Sequence, residues 1–144
     1  MYLADTNVIS AVALSRPASS AFLEWMDRHS NSLFLSAVTV AEIEDGIAKL
    51  KREGKRRKSS DLSAWLETVL HLYGDRVLAF DMPTARIAGA MSDRARGRGL
   101  SPGFADIIIA ATARQHGLTV LSRNIRHLEP LGVAVIDPIA RLPS

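Results

Sequence analysis

Cysteine is absent from this chain of 144 residues. Disulfide staples and thiolate metal sites are therefore excluded, and the composition fits a reducing cytoplasm. Long hydrophobic runs are missing too. The longest strong one is Ile107 to Ala111 with its flanks, far short of the roughly 20 apolar residues a membrane helix needs. The N-terminus has no basic lead and carries Asp5 inside its only apolar stretch, so no signal peptide is expected. A soluble, cytoplasmic protein with no membrane partner is the expectation. Familiar catalytic signatures are also lacking. There is no glycine-framed serine nucleophile, no phosphate-cradling Gly-Lys-Ser/Thr loop and no histidine pair at zinc-binding spacing. Gly97-Arg98-Gly99 does not continue into a dinucleotide fingerprint, and His29, His71, His116 and His127 are scattered. No internal repeat or linker interrupts the chain.

What is present is enough apolar sequence, 47%, for one compact domain spanning residues 1–144 with a real core. The net charge is only +3, yet the pI is about 9.7 and the basic residues are clustered. Lys49, Lys51, Arg52, Lys55, Arg56, Arg57 and Lys58 face only Glu53, and a second group comprises Arg94, Arg96 and Arg98. Such clusters suit a polyanionic partner, because Lys and Arg gain affinity for nucleic acid by releasing condensed counterions. A solvated helix-to-helix turn explains the first cluster at least as well.

The hydrophobic pattern alternates between short strands and helices. Leu3 and its neighbours form a strand ending at Asp5, and a short helix over Thr6 to Leu14 is broken by Arg16-Pro17. From about Ala18 to His29 a helix is expected, with Ala21, Phe22, Trp25 and Met26 on its buried face. Leu33 to Ser36 is a strand, followed by a helix from near Thr39 to about Arg52. Gly54 and the basic run turn the chain into a helix over Asp61 to Tyr73, which carries Leu62, Trp65, Leu66, Val69 and Leu70 inward. These two helices should pair as a hairpin with the basic cluster at its tip. Val77 to Phe80 is a strand, and Pro83 opens a helix reaching about Arg96. Phe104 to His116 is so rich in Ile and Ala that it must be buried on nearly all sides, with Gly117 as its C-cap. Val120 to Ser122 and Val133 to Ile136 complete the strands. Strands alternating with helices predict an α/β fold, a parallel sheet of short strands between helical layers.

Two acids and one amide follow strands, where such a sheet collects ligands, and a third acid stands near the start of a helix. Asp5 follows the first strand. Glu42 follows the second, although Thr39-Val40-Ala41-Glu42 also fits a capping box, in which the glutamate would reach back to its own helix. Asp106 opens the most hydrophobic helix. A helix dipole favours an acid there, but its neighbours Ile107, Ile108 and Ile109 imply surroundings in which an unpaired carboxylate is costly. Asn124 follows the strand Val120 to Ser122, where a turn residue is equally at home. Asp81 and Asp93 read instead as a helix N-cap and a solvated helix face. An all-oxygen set suits hard cations such as Mg²⁺ or Mn²⁺ rather than zinc.

Asp5-Thr6-Asn7, Glu42 within Leu-Ser-Ala-Val-Thr-Val-Ala-Glu-Ile-Glu-Asp-Gly-Ile, Asp106 within Asp-Ile-Ile-Ile-Ala-Ala-Thr-Ala, and Ser122-Arg123-Asn124 together resemble the PIN domains of VapC-type toxins, most nearly the FitB-like branch. The resemblance covers nearly the whole chain. It implies a PIN-like α/β/α sandwich and a magnesium-dependent endoribonuclease, with Mn²⁺ able to substitute, acting as the toxin of a type II toxin–antitoxin system. It further implies that Asp5, Glu42 and Asp106 are catalytic metal ligands, that Asn124 completes the quartet, and that Thr6 orients the first acid. The partners it implies are an RNA substrate, a VapB-type antitoxin and a second copy of the chain. Two positions depart from the pattern. Asn124 stands where many relatives carry Asp, which weakens any second cation, and Leu128 stands where many carry Phe. Two other readings compete: a catalytically weak RNA- or antitoxin-binding module, and a phosphoryl-transfer enzyme with Asp5 as nucleophile. Against the latter stand Asn7, where a second acid would be needed, and the lack of an obvious catalytic lysine.

Overall fold

Strands and helices alternate from end to end of the computed structural model, which describes residues 1–13 and 19–144. Their order is β1 (Tyr2–Ala4), α1 (Thr6–Ala13), α2 (Ser20–Arg28), β2 (Leu33–Ser36), α3 (Ala37–Arg52), α4 (Arg56–Tyr73), β3 (Val77–Leu78), α5 (Met82–Gly97), α6 (Phe104–His116), β4 (Thr119–Leu121), α7 (Ile125–Leu128) and β5 (Val135–Ile136). The strands form one five-stranded sheet in the order β3-β2-β1-β4-β5, and every pairing is parallel.

Because strand side chains alternate in direction, neighbouring residues of β1 serve opposite layers. Leu3 packs with Ala88, Met91, Ile107, Ile109 and Leu128 of α5, α6 and α7. Ala4 packs with Val8, Phe22, Trp25, Ile43 and Leu66 of α1 to α4. The sheet is thus covered on both faces, as a parallel sheet requires, and the fold is the expected α/β/α sandwich. Trp25 is core, with its ring edge-on to Tyr2 at 5.2 Å and stacked on His29 at 4.4 Å. All residues from Ile107 to Ala113 in α6 are buried, and Gly117 ends that helix in the left-handed conformation at φ 64°. α3 and α4 form the expected hairpin, with Glu53 in its turn paired to Lys49 at 3.9 Å and Lys55 at 3.4 Å.

Several boundaries depart from the pattern-based expectations. α2 begins at Ser20 with Ser19 as N-cap, so its expected start at Ala18 lies outside the described residues, as do Leu14 and the break at Arg16-Pro17. Ala21 is exposed rather than buried, because Phe22, Trp25 and Met26 already fill the face that meets the sheet. α3 starts at Ala37, not Thr39: the Ser36 hydroxyl accepts the Val38 N–H at 3.1 Å and caps the helix at the end of the strand. α4 starts at Arg56, so Arg56, Arg57 and Lys58 belong to its first turn and not to a loop. The expected strands over Val77 to Phe80 and Val133 to Ile136 shorten to two residues each, both at sheet edges with a single neighbour. Ser122 lies just past β4, and the short α7 after it had no periodicity long enough to announce it.

Candidate metal centre

The chain fills one half of the sheet with β2 and β3, then crosses over to β4 and β5, so the order reverses between β1 and β4. A crevice outside the carboxyl ends of strands at such a switch point is the usual ligand site of an open α/β sheet. Register decides which residues meet there. Ala4 pairs with Leu121, so Asp5 and Ser122 are the next residues on the two adjoining strands. The Asp5 N–H donates to the Leu121 carbonyl at 2.9 Å, and the Ser122 hydroxyl donates to Asp5 Oδ2 at 2.7 Å. The other oxygen, Oδ1, accepts the Thr6 N–H at 2.8 Å, while Asn7 Nδ2 stands 3.4 Å from Oδ2. Asp5 is only 6% exposed, and a carboxylate so buried requires such donors.

Glu42 reaches this group through Thr6. With Ser36 as the cap of α3, the capping box disappears, and the Glu42 side chain instead accepts the Thr6 hydroxyl at 2.7 Å. Thr6 Oγ1 also lies 3.3 Å from the buried Thr39 hydroxyl. Thr6 thus joins two acids, holding Asp5 by its amide and Glu42 by its hydroxyl.

Asp106 stands in the first turn of α6. Burial pushes its carboxyl above the ordinary carboxylate range, the negative charge of Asp5 adds to the rise, and His127 opposes it. His127 Nδ1 lies 3.8 Å from Asp106 Oδ2. Asp5 and Asp106 are therefore close enough to repel one another. Asn124 is exposed. Its backbone N–H donates to Ser122 Oγ at 2.9 Å and its carbonyl accepts the His127 N–H at 3.1 Å, while its side chain makes no capping bond to α7. Among the described residues, no three acidic or imidazole side chains gather tightly enough to form a finished cage. Asp81, as expected, caps α5 by accepting the Thr84 N–H at 3.1 Å, and Asp93 is exposed.

Residues 2–130 match the PIN domain. The chain belongs to the PIN domain family. It is 39% identical to Toxin FitB of Neisseria gonorrhoeae over 140 residues, covering 96% of this chain and 98% of that protein. It is 38% identical to the VapC ribonuclease Y4jK of Sinorhizobium fredii, covering 96% of this chain and 97% of that protein. The crystal structure of FitAcB from Neisseria gonorrhoeae superposes with a TM-score of 0.82 at 38% identity, covering 96% of this chain and 98% of that one. This PIN domain is thus FitB-like in sequence and fold alike.

Three further residues of the PIN domain site carried no assigned role from sequence, although Asn7 and Ser122 stand within its motifs. Ser122 and Asn7 brace Asp5, and the Asn7 side-chain oxygen Oδ1 also accepts the Arg123 N–H at 3.1 Å. His127 reaches Asp106 from α7. Their only advance signal was position: Asn7 follows the first acid by two residues, and Ser122 ends the strand register that Asp5 shares.

Proposed function

We propose that this PIN domain is a divalent-metal-dependent endoribonuclease and the toxin of a toxin–antitoxin pair. The observation that carries the proposal is the placement of Asp5 at the switch point, its two carboxylate oxygens held by Ser122 and by the Thr6 amide and Glu42 tied to the same Thr6, with the negative charge of Asp5 bearing on Asp106. A cation held between two such carboxylates would offset their repulsion, and an all-oxygen donor set fits Mg²⁺ or Mn²⁺. Asp5 and Asp106 would hold the ion, with Glu42 as a further ligand or water-orienting base and Asn124 as a neutral fourth donor. Bound there, the ion would lower the pKa of a water and neutralise charge on the scissile phosphate. The protein's part is placement: Ser122 and the Thr6 amide fix the Asp5 carboxylate, and Thr6 holds Glu42 toward the same edge.

The names Toxin FitB and VapC ribonuclease, borne by relatives that span nearly the whole chain, support the toxin and ribonuclease parts of this reading. A VapB-type antitoxin is proposed as partner on the same resemblance. A homodimer is proposed on resemblance. Phe80, Met82 and Phe104, at 41%, 72% and 70% exposure, leave apolar surface near the carboxyl edge for such contacts. Among the described residues no helix is long and apolar enough to cross a membrane, and a cytoplasmic location is proposed.

The second reading, a catalytically weak binding module, draws on the neutral Asn124 and the unfinished cage. One experiment separates the two. RNA is incubated with Mg²⁺ and either the wild type or Asp106→Asn, beside calorimetric Mn²⁺ titrations of the wild type and a folded Asp5→Ala. The nuclease reading expects cleavage by the wild type alone and Mn²⁺ binding lost in Asp5→Ala. Full activity in Asp106→Asn refutes it, and RNA binding without turnover, indifferent to chelator, establishes the module instead.

A further inference from the structure

A cavity of about 350 Å³ opens beside Asp106, which forms part of its lining. Its apolar lining comes from Leu100 and Pro102, in the loop before α6, and from Pro130 and Leu131, after α7. Arg126 and His127 supply its basic side chains. The wall is pinned from behind: Arg98 donates to the Pro130 carbonyl at 3.0 Å, and Arg114 donates to the carbonyls of Leu131 at 3.0 Å and Gly132 at 3.1 Å. This cavity is therefore preformed.

We infer that this cavity is a nucleotide subsite, taking one unstacked base of the RNA strand, with Arg126 or His127 against its face. The inference rests on the ribonuclease reading for its choice of ligand and deepens it by naming a specificity pocket. Three features support it. The volume is at the small end of the roughly 300–1,000 Å³ range of small-ligand clefts, which suits a single nucleotide and excludes a duplex. Proteins that read single-stranded RNA stack splayed bases on histidine rings and guanidinium planes, and both groups are present here. Finally, His127 lies 3.8 Å from Asp106, so a base seated against it has its sugar-phosphate next to the carboxylate pair. Among the described residues Asp106 is the one acid in the lining, so the pocket offers a base an apolar slot and its phosphate the Arg126 guanidinium and the His127 imidazole.

The test uses the intact wild type, Arg126→Ala, and Ser101→Trp, which fills the cavity from an exposed loop position. The four nucleoside 5′-monophosphates and inorganic phosphate are titrated to millimolar concentration in EDTA, and amide chemical shifts are followed by NMR. EDTA removes metal-bridged phosphate binding from the readout. Nucleotides are expected to shift Leu100, Arg126, His127 and Leu131, with unequal affinity among the four bases. Each substitution should weaken binding by roughly tenfold or more, the scale of a lost base-stacking contact. Three results overturn the inference: no nucleotide shifts at these residues, equal binding by the folded variants, or equal shifts from inorganic phosphate alone. RNA cleavage by the wild type is scored separately. A chain that binds nucleotides here yet cuts nothing keeps the pocket and loses the nuclease; one that cuts RNA without binding here does the reverse.

Discussion

Ser122→Ala should weaken this protein well beyond what the loss of one oxygen suggests. The Ser122 hydroxyl is fully buried and serves three partners: it donates to Asp5 Oδ2 at 2.7 Å, accepts the Asn124 N–H at 2.9 Å and lies 3.3 Å from Asn7 Nδ2. Alanine leaves Oδ2 with only the long contact to Asn7 and leaves a backbone donor without its acceptor. A hydrogen bond to a buried charged group contributes about 1.5–3 kcal/mol, and an orphaned buried donor about 1–3 kcal/mol more before relaxation. Water entering near the exposed Asn124 would relieve part of the second cost, so a loss of about 2–3 kcal/mol is expected. At about 4 °C per kcal/mol for a domain of this size, the melting temperature should fall by about 8–12 °C. Urea unfolding at neutral pH measures the loss directly. A double-mutant cycle with Asp5→Ala then isolates the bond, with a coupling of about 1–2 kcal/mol expected between residues in contact. A loss below about 0.5 kcal/mol, or strict additivity of the two substitutions, would refute the view that Ser122 holds the first acid.

Other perturbations probe different parts of the molecule. Thr6→Val removes the hydroxyl held by Glu42 while keeping the amide on Asp5. It should cost about 1 kcal/mol in urea unfolding, since Glu42 is exposed, and lower RNA cleavage more than it lowers stability. Ile109→Ala, at a position 1% exposed in the core, should cost about 2–5 kcal/mol by thermal or chemical denaturation, and a smaller loss would mean that α6 repacks. Asp81 is held below its ordinary pKa of 3.8, first by the Thr84 N–H and then by the Thr84 hydroxyl. Its folded pKa lies under the unfolded one, so the stability it confers is complete above the unfolded value and is lost as pH falls through the folded value. Asp81→Asn keeps a capping oxygen and should flatten that part of the acid limb of a stability-against-pH curve; an unchanged limb would count against the assignment.

Much of the fold was legible because its causes are local. Alternation of short apolar runs with helical periodicity is enough to fix a parallel sheet between two helical layers. Leu33–Ser36 and Phe104–His116 have their observed limits because a cap residue and a glycine mark them. Two helix starts were misread. Thr39 looked like a helix start because Glu42 follows three residues later, yet Ser36 at the strand's end caps α3 first and frees Glu42 for Thr6. Arg56 to Lys58 looked like part of the turn at Gly54, yet they extend a helix that α3 supports from the side.

The sequence by itself determined the kind of protein: a cysteine-free α/β chain with Asp5 and Glu42 placed after strands and Asp106 at the start of a helix, as in the PIN family to which it belongs. Only the tertiary structure decided how those residues relate. Strand register set Ser122 against Asp5, the crossover between β1 and β4 brought α6 close enough for Asp5 to act on Asp106, and the unannounced α7 carried His127 to the same carboxylate. These contacts join residues more than 30 positions apart, except that between Asp106 and His127, and local patterning carries no record of distance in space. Hydrophobic period reports which face of an element is buried. It does not report which element lies opposite.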